Sequence, residues 1–224
     1  MRYFKILIPI SIFSLIFIID YYNKYYKPNT SFEDESIFLY VIENDSLAFR
    51  DSISKYIKSE KTFYRVAKRL KYLQNKRTGR YKILKDLGNN DIINSLKFNN
   101  TPVDVTFNNQ ERIENLAGRV SKQIYQDSTS LLSAFRDKKF LKDNNLNEQN
   151  VLSIFIPNSY NIYWNSTPED FRDRMLAEYN KFWNEERSKK AEELNLTKLE
   201  VISLASIVQI ESRRNDERPR VAGL

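Results

Sequence analysis

The chain contains neither cysteine nor histidine, and the second absence is the more restrictive. Without histidine no Ser-His-Asp or Cys-His arrangement can form, and no His or Cys ligand can hold zinc. The lack of cysteine also excludes disulfides. That suits an extracytoplasmic protein avoiding stray pairing and equally suits many cytosolic ones, so it leaves the compartment open. Only four glycines occur, Gly79, Gly88, Gly118 and Gly223. No two are close enough to cradle a phosphate, so nucleotide-binding fingerprints are missing. Carboxylates, tyrosines, lysines and hydroxyls remain for chemistry, and no cofactor or metal is expected.

The 224 residues leave room for two modest domains. A hydrophobic content of 41% with 13% aromatics supports a packed core and argues against global disorder. The formal net charge of +7 points to an anionic partner. Lysines and arginines are nevertheless spread among nearly as many acids without a dense basic run. A solvated basic surface is therefore the better reading than a nucleic-acid site.

Arg2 and Lys5 precede an apolar run from Ile6 to Ile19, which Asp20 ends and Tyr21, Tyr22, Tyr25 and Tyr26 follow. With its aromatic flanks the run approaches the ~20 residues that cross a bilayer. A signal-peptide core is the competing reading, but no small-residue cleavage site follows. Interfacial tyrosines suit a retained helix. The sequence thus predicts a transmembrane signal-anchor over residues 1–22 and a polar tether over 23–35. The leading positive charges predict a cytoplasmic N-terminus and an exported body.

The body reads as α+β. Ser36 to Ile42 is a β-branched, apolar strand. A helix capped by Asp45-Ser46 and a second near Thr62 to Leu73 follow, then a strand over Tyr81 to Leu84. A helix from Asn90-Asp91 and a strand over Thr101 to Phe107 complete a compact α/β unit (36–107) whose strands are expected to share one sheet. Ile113, Leu116, Val120 and Ile124 have helical spacing, and Asp127 to Asn150 looks like a helical, polar connection within residues 108–150. Val151 to Tyr160 reads as a strand broken at Pro157. Thr167-Pro168-Glu169-Asp170 starts a helix running to about Glu193.

Thr197-Lys198-Leu199-Glu200 matches the capping box ahead of an apolar run, Val201 to Glu211. This helix is apolar around most of its circumference and is expected in a domain core. Glu211 follows Val208 by three residues, Ile207 by four and Leu204 by seven, so it continues an apolar stripe. A carboxyl there faces a partly dry environment that favours its protonated form, as a general acid requires. The alternative is a helix-end glutamate paired with Arg213, Arg214 or Arg218.

ASIVQIES (Ala205 to Ser212) followed by DERPRVAGL (Asp216 to Leu224) resembles the signature of the MltG-type (YceG-like) endolytic murein transglycosylases. FIPNSYNIYW (Phe155 to Trp164) and TGRYKI (Thr78 to Ile83) resemble further segments of that family, the second in its LysM-like domain. The resemblance implies that residues 36–107 are LysM-like and hold glycan, and that residues 151–224 begin the transglycosylase domain. Glu211 falls on the family's catalytic glutamate; Gln209 stands where the family often has a second acid, which disfavours a mechanism needing both.

By the resemblance, the protein is an inner-membrane, single-pass enzyme that cleaves the β-1,4 bond from N-acetylmuramic acid to N-acetylglucosamine. Glu211 protonates the glycosidic oxygen, then takes the proton of the muramoyl C6 hydroxyl as that oxygen attacks C1. The product is a 1,6-anhydro end, and one carboxyl suffices where hydrolases use two. Tyr160, Tyr163 and Trp164 are candidates to line the saccharide groove, with ordinary packing as the alternative. Glu217 is a candidate to orient the site through Arg218, or only to cap the helix end. Peptidoglycan synthases of the penicillin-binding type are implied partners.

Family members continue beyond Val221-Ala222-Gly223-Leu224 with more of the catalytic domain, so a chain ending there is expected to be inactive alone. The rivals are a non-catalytic, membrane-anchored glycan-binding scaffold and a hydrolase using Asp216 or Glu217 as second carboxylate. A nucleic-acid-binding protein ranks last.

Overall fold

A computed structural model describes residues 4–42, 45–212, 214 and 216–223, the first helix by its backbone alone up to residue 11. Arg2, Arg213, Leu224 and the side chain of Lys5, on which several expectations rest, lie outside the described residues. The chain divides into two compact units: one runs to Val103 and takes in Tyr163–Asn165, and the other is Asp104–Ile162 with the residues from Ser166 onward.

The first unit contains α1 (Phe4–Tyr25), β1 (Ser36–Val41), α2 (Ser46–Ser54), α3 (Glu60–Arg69), β2 (Gly79–Leu84) and α4 (Asn89–Phe98). β1 and β2 pair antiparallel, with Phe38 opposite Lys82 and Tyr40 opposite Arg80. Alternation along the strands sends Leu39, Val41, Tyr81 and Ile83 into the core. Asp45 caps α2 by accepting from the Ala48 N–H at 2.7 Å, and Ser59 caps α3 through the Thr62 N–H. Phe63, Val66 and Ala67 of α3 then meet Phe49 and Ile53 of α2. The expected strand, two helices, strand and helix are all present.

The first helix requires a correction. Among the described residues, no helix is long and apolar enough to cross a membrane. The run from Ile12 is closed by Asp20, Asn23 and Lys24. The last turn is docked instead: Tyr25 is buried in the core of the unit, and Asn89 Nδ2 donates to the Lys24 carbonyl at 2.8 Å. The transmembrane anchor over residues 1–22 and the single-pass inner-membrane placement are therefore not supported.

The segment expected as a tether is packed as well. Asn29 is buried; its amide donates to Asn89 Oδ1 at 2.7 Å and accepts from the Ser59 N–H at 2.8 Å. Bridges from Pro28 to Gly88 and from Thr30 to Ile57 fasten its backbone. These bonds join the end of α1 to the starts of α3 and α4.

The strands do not share one sheet. Residues 100–101 make only a short bridge to β2, through Asn100 with Tyr81 and the Thr101 N–H to the Arg80 carbonyl at 2.6 Å. β3 (Pro102–Phe107) pairs with a later strand, and the second unit follows it. Its elements are α5 (Ile113–Val120), α6 (Ser128–Phe135), α7 (Lys138–Asp143), a 3-10 turn Val151–Ile154, β4 (Asn158–Tyr163), α8 (Pro168–Phe182), α9 (Glu185–Glu193), α10 (Lys198–Glu211) and α11 (Arg218–Ala222). β3 and β4 form a separate two-stranded sheet. Side-chain bonds pair Asp104 with Asn161 and Thr106 with Ser159, so the strands run in opposite directions.

Three further expectations shift. Residues 127–150 are not a polar connection, because Leu131, Phe135, Phe140 and Leu141 are buried among Phe155, Phe171 and Met175. The strand expected across Pro157 begins only after it, since residues 151–154 coil into the 3-10 turn. The long helix from Thr167 breaks at Trp183, whose ring is buried, and Asn184 caps a new helix through the Arg187 N–H at 2.9 Å.

Candidate active site

α10 starts where the sequence indicates. Thr197 Oγ1 accepts from the Glu200 N–H at 3.2 Å, and Glu200 Oε2 accepts from the Thr197 N–H at 2.7 Å. The Thr197 N–H and hydroxyl, both donating to it, hold the Glu200 carboxyl below the usual carboxylate range. From there the helix departs from expectation: none of its residues is buried, and Leu204, Ile207 and Ile210 stand open to solvent. A helix apolar on every side presents no single face to pack, so its neighbours can cover only part of it.

Glu211 is the last residue of α10 and is exposed, not sheltered as the apolar stripe implies. The turn after it is firmly held. Ser212 is buried, and its Oγ accepts from the Arg214 N–H at 3.2 Å and lies 3.1 Å from Glu217 Oε2. Arg218 Nε donates to the Ser212 carbonyl at 3.2 Å. Glu217 also faces Arg214 Nε at 3.4 Å, while Asp216 accepts from both Arg214 Nε and Nη2. Glu217 thus contacts Ser212, the residue beside Glu211, where the sequence offered a route through Arg218 or a helix-end cap.

Beneath α10 in the second unit lies a cavity of about 550 Å³. Its apolar wall includes Phe107, Phe155, Phe182 and Ile202; its polar groups are amides and hydroxyls such as Asn108, Asn150, Ser206 and Gln209. Among the described residues, none that lines it is charged. Ile207, one helical turn before Glu211, lines it; Glu211 itself does not. Asn109 Nδ2 donates to Gln209 Oε1, tying the loop after β3 to α10. The amide run Asn108-Asn109-Gln110 directly after a strand was the available sequence signal for this wall.

The aromatic candidates separate. Tyr160 is buried in the second unit, stacked on Phe107 at 5.6 Å, with its hydroxyl donating to the Ile156 carbonyl. Burial pushes its phenol above the ordinary tyrosine range. Tyr163 and Trp164 fall in the first unit, where Trp164 meets Tyr40 edge-on at 4.9 Å and Tyr163 is exposed. Among the described residues no group of three or more acids could hold a metal ion.

The sequence model of the YceG-like family matches residues 48–224. None of the curated proteins matches. A protein of Listeria monocytogenes described as yceG-like, whose crystal structure was solved at 2.6 Å, is similar at 15% identity with a TM-score of 0.48. The similarity covers 83% of this chain and 67% of that one.

Proposed function

The chain belongs to the YceG-like family, and we propose that the protein is a peptidoglycan lytic transglycosylase with Glu211 as its single acid and base. The observation that carries this reading is that the family match runs through α10 and the held turn, taking in Glu211, Ser212 and Glu217. The substrate is a glycan strand laid along α10 over the uncharged cavity, whose amides and hydroxyls suit neutral N-acetylated sugars.

In the first half-reaction the Glu211 carboxyl gives its proton to the oxygen linking the muramoyl C1 to the next sugar, and that C–O bond breaks. In the second, the Glu211 carboxylate takes the proton of the muramoyl C6 hydroxyl, whose oxygen bonds to C1. The acid is restored, no water is consumed, and a 1,6-anhydro end results. A strand covering the exposed carboxyl excludes water from the reacting centre. Ser212, Glu217 and Arg218 act as positioning residues that fix the helix end. Synthases that lengthen glycan strands are the partner class that such an enzyme would oppose.

The test is mass spectrometry of muropeptides released from purified peptidoglycan by the full-length protein and by Glu211→Gln. Anhydro-ended products are expected to fall at least about 100-fold in the variant. Reducing ends in place of anhydro ends would mark a hydrolase. The exposure of Glu211 favours one second reading, a glycan-binding protein without catalysis; anhydro ends made equally by both proteins would sink the role of Glu211, and no product from either would leave the binding protein.

A further inference from the structure

We infer that Asn109 and Gln209 form an amide latch that positions Glu211, with neither side chain touching the reacting atoms. The inference rests on the lytic reading of Glu211 above, and all three residues lie in the second unit.

A general acid works only when it is held within hydrogen-bond reach of the atom it protonates. Displacing it by about 1 Å can cost about 100-fold in rate. α10 is poorly placed to hold its own end, because none of its residues is buried. Among the described residues, its other side-chain hydrogen bonds are local. Ser203 and Ser206 donate to carbonyls four residues back, both at 2.9 Å, and Glu200 closes the capping box. Asn109 Nδ2 instead reaches Gln209 Oε1 across 100 residues of chain, just ahead of Glu211.

The donor side of the latch is anchored in the core. Phe107, which ends β3, is buried and stacked on Tyr160 at 5.6 Å. Just before it, Gln123 clasps both backbone groups of Thr106. Its Oε1 accepts from the N–H at 2.9 Å, and its Nε2 donates to the carbonyl at 3.0 Å. The loop beyond is closed on itself, since Gln110 Nε2 donates to the Asn108 carbonyl at 3.1 Å and to Asn108 Oδ1 at 2.7 Å. Asn109 therefore presents its amide from between two braced neighbours. A fixed donor to the last turn of α10 ties the position of Glu211 to the core, while the turn at Ser212 holds it from the other side. Both partners are amides, so the latch adds no charge beside the acid.

An amide both donates and accepts, whereas an ionised carboxylate only accepts. Asn109→Asp therefore keeps the latch with Gln209 as donor, and Gln209→Glu keeps it with Asn109 as donor. The double variant sets two acceptors and two like charges against each other and opens it. The experiment measures kcat and KM for anhydro-end release from soluble glycan strands by the full-length protein and these three variants. The double variant is expected to lose about 10- to 100-fold more kcat than the two single losses multiplied, with KM no higher than in the singles. Asn109→Leu, which deletes the donor without adding charge, should lose kcat as the double does. Asn109 is exposed and Gln209 half-buried, and equal melting temperatures verify folding. Losses that simply multiply, or a raised KM at unchanged kcat, overturn the inference; the second would make the pair a sugar contact. Hydrogen exchange over residues 205–212 separates this inference from the lytic reading. If wild type forms no anhydro ends, the lytic reading fails. The latch then stands if those amides lose protection in the double and Asn109→Leu variants alone, and falls if they do not.

Discussion

Helices α3 and α10 carry opposite hydrophobic patterns and meet opposite fates. α3 (EKTFYRVAKR) is mostly polar, yet Phe63, Val66 and Ala67 fall on one stripe and are fully buried. α10 (KLEVISLASIVQIE) is far more apolar, yet it buries nothing, and Ile210 is 80% exposed. Burial therefore follows the grouping of apolar residues on one face opposite a partner, not their number. Phe63 of the α3 stripe meets Phe49 at 6.4 Å, and Phe49 in turn meets Tyr72 at 5.9 Å. α10 has the cavity on one side and is only partly covered by α9 and α11 elsewhere.

The sharpest way to break this contrast is to truncate both helices. Phe63→Ala should lower stability by about 3–5 kcal/mol, because it removes a ring from a site with no exposure. Leu204→Ala, already 47% exposed, should stay within about 0.5 kcal/mol. Urea titration followed by circular dichroism reads both. Similar losses from the two would mean that α10 is covered in solution.

The same contrast explains what the sequence could and could not disclose. Thr197 with Glu200 was legible as a capping box and Thr167-Pro168-Glu169-Asp170 as a helix start, because the partners lie within one turn. The strands and helices around Phe49 and Phe63 were legible because their periodicity is local. Sheet membership was not: whether residues 100–107 join β2 or β4 depends on contacts more than fifty residues away, such as Thr106 with Ser159. Nor was the helix break at Trp183, since burial of that one ring decides it. Glu211 was singled out from its motif, but its exposure was not legible, because an apolar stripe tells only that a cover is possible. The docked end of α1 was hidden for a related reason: the amides of Asn29 and Asn89, which fasten it, look like loop residues one at a time.

A smaller effect tests how tightly the first unit is closed. A Cβ at Gly88 would stand 2.6 Å from the Tyr26 carbonyl oxygen and 2.7 Å from that of Tyr25, so backbone must move. Gly88→Ala should therefore cost about 1–3 kcal/mol by overpacking. Gly118, inside α5 with open space around its missing Cβ, is the counterpart. Gly118→Ala should be neutral or stabilise by up to about 1 kcal/mol. Differential scanning calorimetry should show melting temperatures displaced in opposite directions, and a tolerated alanine at 88 would mean that the end of α1 is not held there.

The least effect at neutral pH, and the one that asks most of the α3 core, concerns Tyr72. Its ring is fully buried beside Phe49, and among the described residues its hydroxyl has no hydrogen-bond partner. Burial pushes its phenol well above the ordinary tyrosine range. The folded protein therefore keeps this proton at pH values where the unfolded chain has lost it. A proton held by the native state and released on unfolding makes stability fall as pH rises. The stabilisation is fully present below about pH 10, where an unfolded tyrosine titrates, and is lost progressively above it. Tyr72→Phe removes both the orphaned hydroxyl and the titration. At pH 7 the variant should match wild type or gain up to about 1 kcal/mol, since no hydrogen bond is given up. Above pH 10 it should keep stability that wild type loses, leaving a shallower alkaline limb in urea midpoints. Tyr64 and Tyr81, whose phenols burial also raises, supply the slope that remains. Parallel alkaline limbs in the two proteins would mean that water reaches Tyr72, and that the core under α3 is as open as the surface of α10.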